Sequence, residues 1–238
     1  MRKKYFHFIY ITIIVLLVTA VVLLTVNKKE AQELDPVQQY YQNKCNSFAF
    51  QNFNLSKDQV VFIGDSITDL YPLDDYYADL NVAVYNRGIG ADTTSGVLKR
   101  LKVSLFDIKP SKIVLLIGTN DINGNVENSK IIANYSEILN KIKEELPSTY
   151  IYCVSIPPQN LMLESYSNFN VEETTKTILE INTQIKNIVK DDPNITYIDL
   201  FSHLADCNNM LIEKYSDDGI HLNANGFEVW TNLIKPYL

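Results

Sequence analysis

Apolar positions fall into three regimes along the chain. Residues 8–26, FIYITIIVLLVTAVVLLTV, carry no charge, and Thr12, Thr19 and Thr25 are their clearly polar members. As a helix, nineteen such residues rise about 28 Å, close to the hydrocarbon thickness of a bilayer. Residues 27–37 are polar, include Pro36 and suit a linker, and 38–53 space aromatics as a helix does. From residue 60, short β-branched runs alternate with amphipathic stretches. Val60–Gly64, Asn81–Asn86, Lys112–Gly118, Thr149–Ile156 and Ile195–Leu200 read as strands covered on both faces. Segments near 68–80, 93–106, 128–146, 172–190 and 223–237 read as helices, and Ile131, Ile132, Tyr135, Ile138, Leu139 and Ile142 keep a 3.6-residue period. This alternation predicts an α/β fold. A parallel sheet lies between helix layers, and binding sites gather at the carboxyl ends of the strands.

Charge around the first regime sets its topology. Arg2, Lys3 and Lys4 precede it, while Lys28, Lys29, Glu30, Glu33 and Asp35 give a flank of mixed sign. The positive-inside rule then predicts a single-pass anchor with a cytoplasmic tip over residues 1–27 and everything later outside the cytoplasm. A cleaved signal peptide, giving a secreted protein, is the alternative. Its apolar region is usually shorter, about 7 to 15 residues, and Thr25-Val26-Asn27 makes a poor cleavage site, so the anchor is favoured. Residues 28–58 then form a linker and lead-in helix, and 59–238 one domain.

Composition narrows the function mainly by exclusion. Of 21 basic residues three lie in the anchor tip, so the rest of the chain has a net charge of about −10 against its 28 acidic residues. No basic patch speaks for nucleic acid. Cys45, Cys153 and Cys207 form no C-x-x-C pair, which disfavours a zinc or redox site; Cys153 reads as core, and Cys45 with Cys207 is a pairing the sequence leaves open.

The predicted strand ends carry the candidate chemistry. The first ends in Gly64-Asp65-Ser66. A serine there can present its hydroxyl at the sheet edge and its N–H at a helix start, although Asp65 or Ser66 can equally be a helix cap. The second ends in the glycine-rich run Asn86 to Thr94, where Asp92 can cap the next helix; Gly88-Ile89-Gly90 lacks the third glycine of a dinucleotide fingerprint. The third ends in Gly118-Thr119-Asn120-Asp121, where the Asn120 amide is a neutral donor suited to an oxyanion. Near the C-terminus, Asp218 and His221 are three apart, a spacing that lets a carboxylate orient an imidazole. His203, with Asp206 three residues on, is the rival base; His7 flanks the apolar stretch. A nucleophile, a base, an orienting acid and oxyanion donors are the components of acyl transfer.

Together these blocks resemble the SGNH/GDSL hydrolases, from about Val60 to the C-terminus. Gly64-Asp65-Ser66 is similar to the family's first block, Asn86–Thr94 to its second, Gly118-Thr119-Asn120-Asp121 to its third, and Asp218-Gly219-Ile220-His221 to its D-x-x-H block. The resemblance implies a flavodoxin-like three-layer α/β/α sandwich with a mostly parallel five-stranded sheet. It implies a serine esterase without metal or cofactor, acting on a small-molecule, glycan or lipid ester. Ser66 would be the nucleophile, His221 the base and Asp218 its orienting acid, with an oxyanion hole from the N–H groups of Ser66 and Ala91 and the Asn120 side chain. Two positions depart from the pattern: Ile67 replaces the leucine after the serine, and Ala91 stands where the family has glycine before aspartate. If that site needs φ > 0, alanine is strained there unless Gly90 takes the special conformation. Two further readings use the same fold: an acyltransferase with an alcohol acceptor, and an inactive carbohydrate-binding domain. The long connection Pro157–Asn170, with Leu161, Met162, Leu163, Tyr166 and Phe169, is a candidate pocket wall.

Overall fold

Five strands lie where the β-branched runs predict them, in a sheet of order β2-β1-β3-β4-β5 that is parallel throughout. They are β1 (Val60–Gly64), β2 (Val84–Gly88), β3 (Lys112–Leu116), β4 (Tyr150–Val154) and β5 (Ile195–Ile198). The computed structural model describes residues 11–22, 35–162 and 170–238. The chain divides into two units, Met1–Gln39 and Tyr40–Leu238.

The first unit contains α1, described over 11–22, and the start of α2 (Pro36–Gln51). Residues 11–22 are uncharged and exposed all round the helix. Among the described residues no helix is long and apolar enough to cross a membrane; residues 8–10 and 23–26 of the expected anchor lie outside the described residues. The helix expected over 38–53 begins two residues earlier. The Asp35 carboxylate accepts from the N–H groups of Val37 and Gln38 at 2.9 and 3.0 Å, so α2 starts at Pro36. Proline suits a first helical position because the N–H it lacks would have had no partner there.

In the second unit each strand alternates its side chains between two cores. Val61, Ile63, Ile113, Leu115, Ile151, Cys153 and Ile195 pack with α5 (Thr94–Leu101), α7 (Asn128–Glu145) and α8 (Val171–Val189). Val60, Phe62, Val114, Leu116, Tyr152, Val154 and Ile198 pack on the other face, with Trp230 of α10 (Ala224–Ile234) fully buried among them. The result is the three-layer sandwich expected. Each fully buried Leu, Ile or Val contributes about 1.5–3 kcal/mol, which makes these two faces the main source of stability.

Three expected elements are redrawn. The 68–80 helix is broken into α3 (Ser66–Asp69) and α4 (Leu73–Tyr77). Pro72 sits between them; proline disfavours a helical residue before it and cannot donate into the preceding turn. The second strand begins at Val84 rather than Asn81, because its pairing with β1 aligns Gly64 with Gly88. The 93–106 helix ends in a π-helical turn, Lys102–Phe106. All three cysteines are free: Cys153 is core, and Cys45 and Cys207 are unpaired, Cys45 on α2 and Cys207 exposed.

Candidate active site

The strand order reverses direction between β1 and β3, and such a switch point opens a crevice beyond the strand ends. Ser66 follows β1, and α6 (Thr119–Asn123) with Asn120 follows β3. Asp65 and Ser66 divide the two roles the sequence left open. The Asp65 side chain caps α3, accepting from the Ile67 N–H at 3.0 Å. Ser66 is freed from capping, and its Oγ lies 2.8 Å from His221 Nε2. His221 Nδ1 lies 2.5 Å from Asp218 Oδ2.

The Asp218–His221 arm is a turn that holds itself. Asp218 Oδ1 accepts from the backbone N–H of Ile220 (2.8 Å) and His221 (2.7 Å) and from the Ser216 hydroxyl (3.3 Å). Ser216 Oγ in turn accepts from the Gly219 N–H at 2.8 Å. Burial pushes the Asp218 carboxyl up, but the hydrogen bonds from the His221 ring and from the Ile220 and His221 amides outweigh it and hold the group below the usual carboxylate range. It therefore stays ionised beside the imidazole. Gly219 lies at φ 84, and a Cβ there would fall 2.1 Å from the Asn160 carbonyl oxygen. The Asn160 N–H donates to the Gly219 carbonyl at 2.8 Å, tying this turn to the segment after β4. His203, the rival base, is exposed on α9 (Phe201–Leu204), and its Nδ1 lies 2.8 Å from the Asp199 carbonyl oxygen. His221 is the histidine beside Ser66.

The glycine-rich run and α6 form the opposite wall. Ala91 takes φ 59, so the strain falls on the alanine and is not transferred to Gly90. The Gly90 N–H donates to Asp69 Oδ2 at 3.0 Å. One hydrogen of the Asn120 amide donates to the Asp92 carbonyl at 2.9 Å, and the amide carries a second.

Beneath this wall lies a charged layer that sequence reading missed. Asp92 does not cap α5; Thr93 does, accepting from the Gly96 N–H at 3.2 Å. Asp92 instead receives Arg100 Nε at 2.7 Å, both side chains being almost fully buried. Arg100 also donates to the carbonyls of Arg87 (2.7 Å) and Gly64 (2.9 Å) and to Ser104 Oγ (3.0 Å), which fastens the ends of β1 and β2 together. Asp121 accepts from the Thr94 N–H (2.9 Å) and hydroxyl (2.6 Å), joining α6 to α5. The 93–106 segment looks amphipathic in sequence, and an arginine in it reads as solvent-facing; nothing local marks Arg100 as buried. Asp65 is enclosed in the same layer. Burial, reinforced by Asp92 and Asp121 and opposed by the Ile67 N–H, pushes its carboxyl up to about 7.

In the connection proposed as a pocket wall, Leu161 is buried and Met162 exposed. Leu163, Tyr166 and Phe169 lie outside the described residues. A cleft of about 500 Å³ beside its far end is lined by Asn170, Glu173 and Thr174 together with Ile122 and Asn123 of α6.

Comparison with known proteins gives these residues a family. Residues 62–229 match the GDSL-like Lipase/Acylhydrolase family. Platelet-activating factor acetylhydrolase IB subunit alpha2 from Rattus norvegicus is 30% identical over 184 residues, covering 74% of this chain and 73% of that protein. A solved structure described as "a putative platelet activating factor from Streptococcus pneumonia" has 26% identity and a TM-score of 0.77, covering 92% of this chain and 98% of that one. An acetylxylan esterase from Geobacillus stearothermophilus, at 18% identity, shares the fold with a TM-score of 0.59, over 76% of this chain and 94% of that one. The chain belongs to the GDSL-like lipase/acylhydrolase family and is a serine ester hydrolase.

Proposed function

We propose that the protein removes short acyl groups, acetyl foremost, from hydroxylated substrates outside the cytoplasm, with Ser66 as nucleophile and His221 and Asp218 as base and orienting acid. The observation that carries this reading is the unbroken chain from Asp218 Oδ2 through the imidazole to Ser66 Oγ, at 2.5 and 2.8 Å. His221 Nε2 takes the Ser66 proton as Oγ bonds to the ester carbonyl carbon. The same proton passes to the departing alkoxide, and the alcohol leaves an acyl-serine. Water then adds with His221 again as base, and the carboxylic acid departs. The negative oxygen of each tetrahedral intermediate is met by the N–H groups of Ser66 and Ala91 and by the second Asn120 hydrogen. Each such donor is typically worth about 3–4 kcal/mol of barrier.

Preference for a short acyl group is supported by the names of the similar proteins, an acetylhydrolase and an acetylxylan esterase. A membrane anchor is supported by the uncharged stretch 8–26 behind Arg2, Lys3 and Lys4. The test is a series of p-nitrophenyl esters of increasing chain length, alongside acetylated glycans, on the full chain in detergent. Highest kcat/KM on acetyl esters is expected; preference for long chains would overturn the substrate class. The protein should also stay in the membrane pellet through a high-salt wash, and a mature N-terminus after residue 26 would overturn the anchor.

A further inference from the structure

Asp69 closes α3, three residues after Ser66, and gathers donors from two other parts of the domain. Its Oδ1 receives Lys44 Nζ at 2.6 Å, and its Oδ2 receives the Tyr40 hydroxyl at 2.5 Å and the Gly90 N–H at 3.0 Å. Tyr40 and Lys44 both come from α2, the helix before the sheet. Lys44 Nζ also stands 5.5 Å from the Phe48 ring centroid and 5.9 Å from that of Tyr40. Phe48 is buried, with the Arg87 guanidinium 4.5 Å above it, and that guanidinium donates to Gln51 Oε1 and Asn52 Oδ1, both at 2.9 Å. The helix is thereby fixed against the end of β2, and Lys44 has a defined place. Burial, with the hydrogen bond to Asp69 second, pushes the Tyr40 hydroxyl up to about 12, so it remains a donor.

Asp69 has two opposed effects on the residue that follows Gly90. By holding the Gly90 N–H it fixes the strained turn at Ala91 and leaves the Ala91 N–H as the amide free to meet an oxyanion. As a carboxylate beside that turn, it also opposes the negative charge that develops in the transition state. With side chains 28% and 13% exposed, Lys44 and Asp69 are shielded enough from water for this opposition to be felt. We propose that Lys44 is a positioning and charge-balancing residue for the esterase reaction: it neutralises Asp69, so that Asp69 can hold the Gly90–Ala91 turn without repelling the oxyanion. The inference rests on the reading of Ala91 as an oxyanion donor. It makes α2, which lies outside the matched family region, part of what the reaction needs.

The test is a mutant cycle on the full chain, with kcat and KM measured for one acetyl ester. Lys44→Met is expected to lower kcat about tenfold at nearly constant KM, the scale of one uncompensated charge near the reacting atoms. Lys44→Arg should recover most of the loss. Adding Asp69→Asn to Lys44→Met should also recover it, because the amide oxygen still accepts from Gly90 but carries no charge. A purely structural role for Lys44 predicts the opposite, since the second substitution would only add to the damage. The proposal is overturned if Lys44→Met leaves kcat unchanged, or if the double variant is no faster than the single one. Ser66→Ala, measured in parallel, separates the two levels: a dead Ser66→Ala with an unaffected Lys44→Met removes this inference alone, whereas activity surviving in Ser66→Ala removes the underlying reading as well.

Discussion

The two sides of the site are built in opposite ways. The side proposed to hold the nucleophile and oxyanion donors stands on a buried polar layer of Asp65, Asp92, Thr94, Arg100 and Asp121, none more than 4% exposed. Its hydrogen bonds run between the ends of β1, β2 and β3. The side proposed for acid–base work is one turn, 216–221, in which the side chains of Asp218 and His221 are 28% and 33% exposed. That turn is shaped mostly by hydrogen bonds within itself. The contrast follows from what each side has to do. Oxyanion donors act only if they are already aimed when charge develops, so they need a rigid frame. A histidine that gains and loses a proton needs one fixed hydrogen bond and access to solvent, which a local turn supplies.

Breaking the acid–base side should therefore remove activity and leave stability nearly intact. His221→Ala is expected to lower kcat by several orders of magnitude, as removal of either member of a nucleophile–base pair does, while His203→Ala keeps most activity. Ester kinetics on both variants check this, and the reverse ranking would move the base to His203. Breaking the opposite side should remove stability first. Arg100→Met leaves Asp92 buried without its partner and is expected to cost about 3–5 kcal/mol of unfolding free energy, read by denaturant titration. A midpoint unchanged from the parent would mean that the layer contributes no rigidity.

The same layer predicts a pH signature. An unfolded chain releases the Asp65 proton in the ordinary carboxyl range, whereas the folded protein holds it to about 7. Between those limits the folded state binds more protons, so stability falls as pH rises from about 4 to about 7 and stays reduced above. Asp65→Asn keeps the helix cap and removes this slope. Its advantage over the parent should grow by roughly 2–4 kcal/mol between pH 4 and pH 8, followed by denaturant titration at each pH. A constant difference across that range would show that Asp65 titrates normally. The smallest effect concerns the strained turn. Ala91→Gly relieves the positive φ and should raise stability by about 0.5–1 kcal/mol in a thermal melt. A lower melting temperature would place the strain elsewhere.

Legibility in the sequence divides along the same line. Asp218 and His221 lie three residues apart and meet within a local turn, so their pairing is legible from spacing alone. Ser66 and Asn120 stand directly after apolar strands, and strand runs such as Val60–Gly64 carry their own signal. Arg100 gives no such signal: its partners Gly64 and Arg87 are brought together by the parallel pairing of β1 with β2, which no local pattern encodes. The late start of β2 has the same cause, since its register is fixed by β1 and not by its own residues. Asp69 and Lys44 are 25 positions apart and meet only because α2 packs back on the domain. The break at Pro72 was readable in principle from proline's effect on its neighbours, but the apolar spacing of 68–80 masked it.

The claim that joins both sides is that Ser66 is the attacking atom, with its proton taken by His221. A fluorophosphonate probe reacts with an activated serine, and peptide mass spectrometry locates the adduct. A single adduct is expected on the peptide carrying Ser66, absent in Ser66→Ala and strongly slowed in His221→Ala. An adduct on another serine, or labelling that persists unchanged in Ser66→Ala, would contradict it.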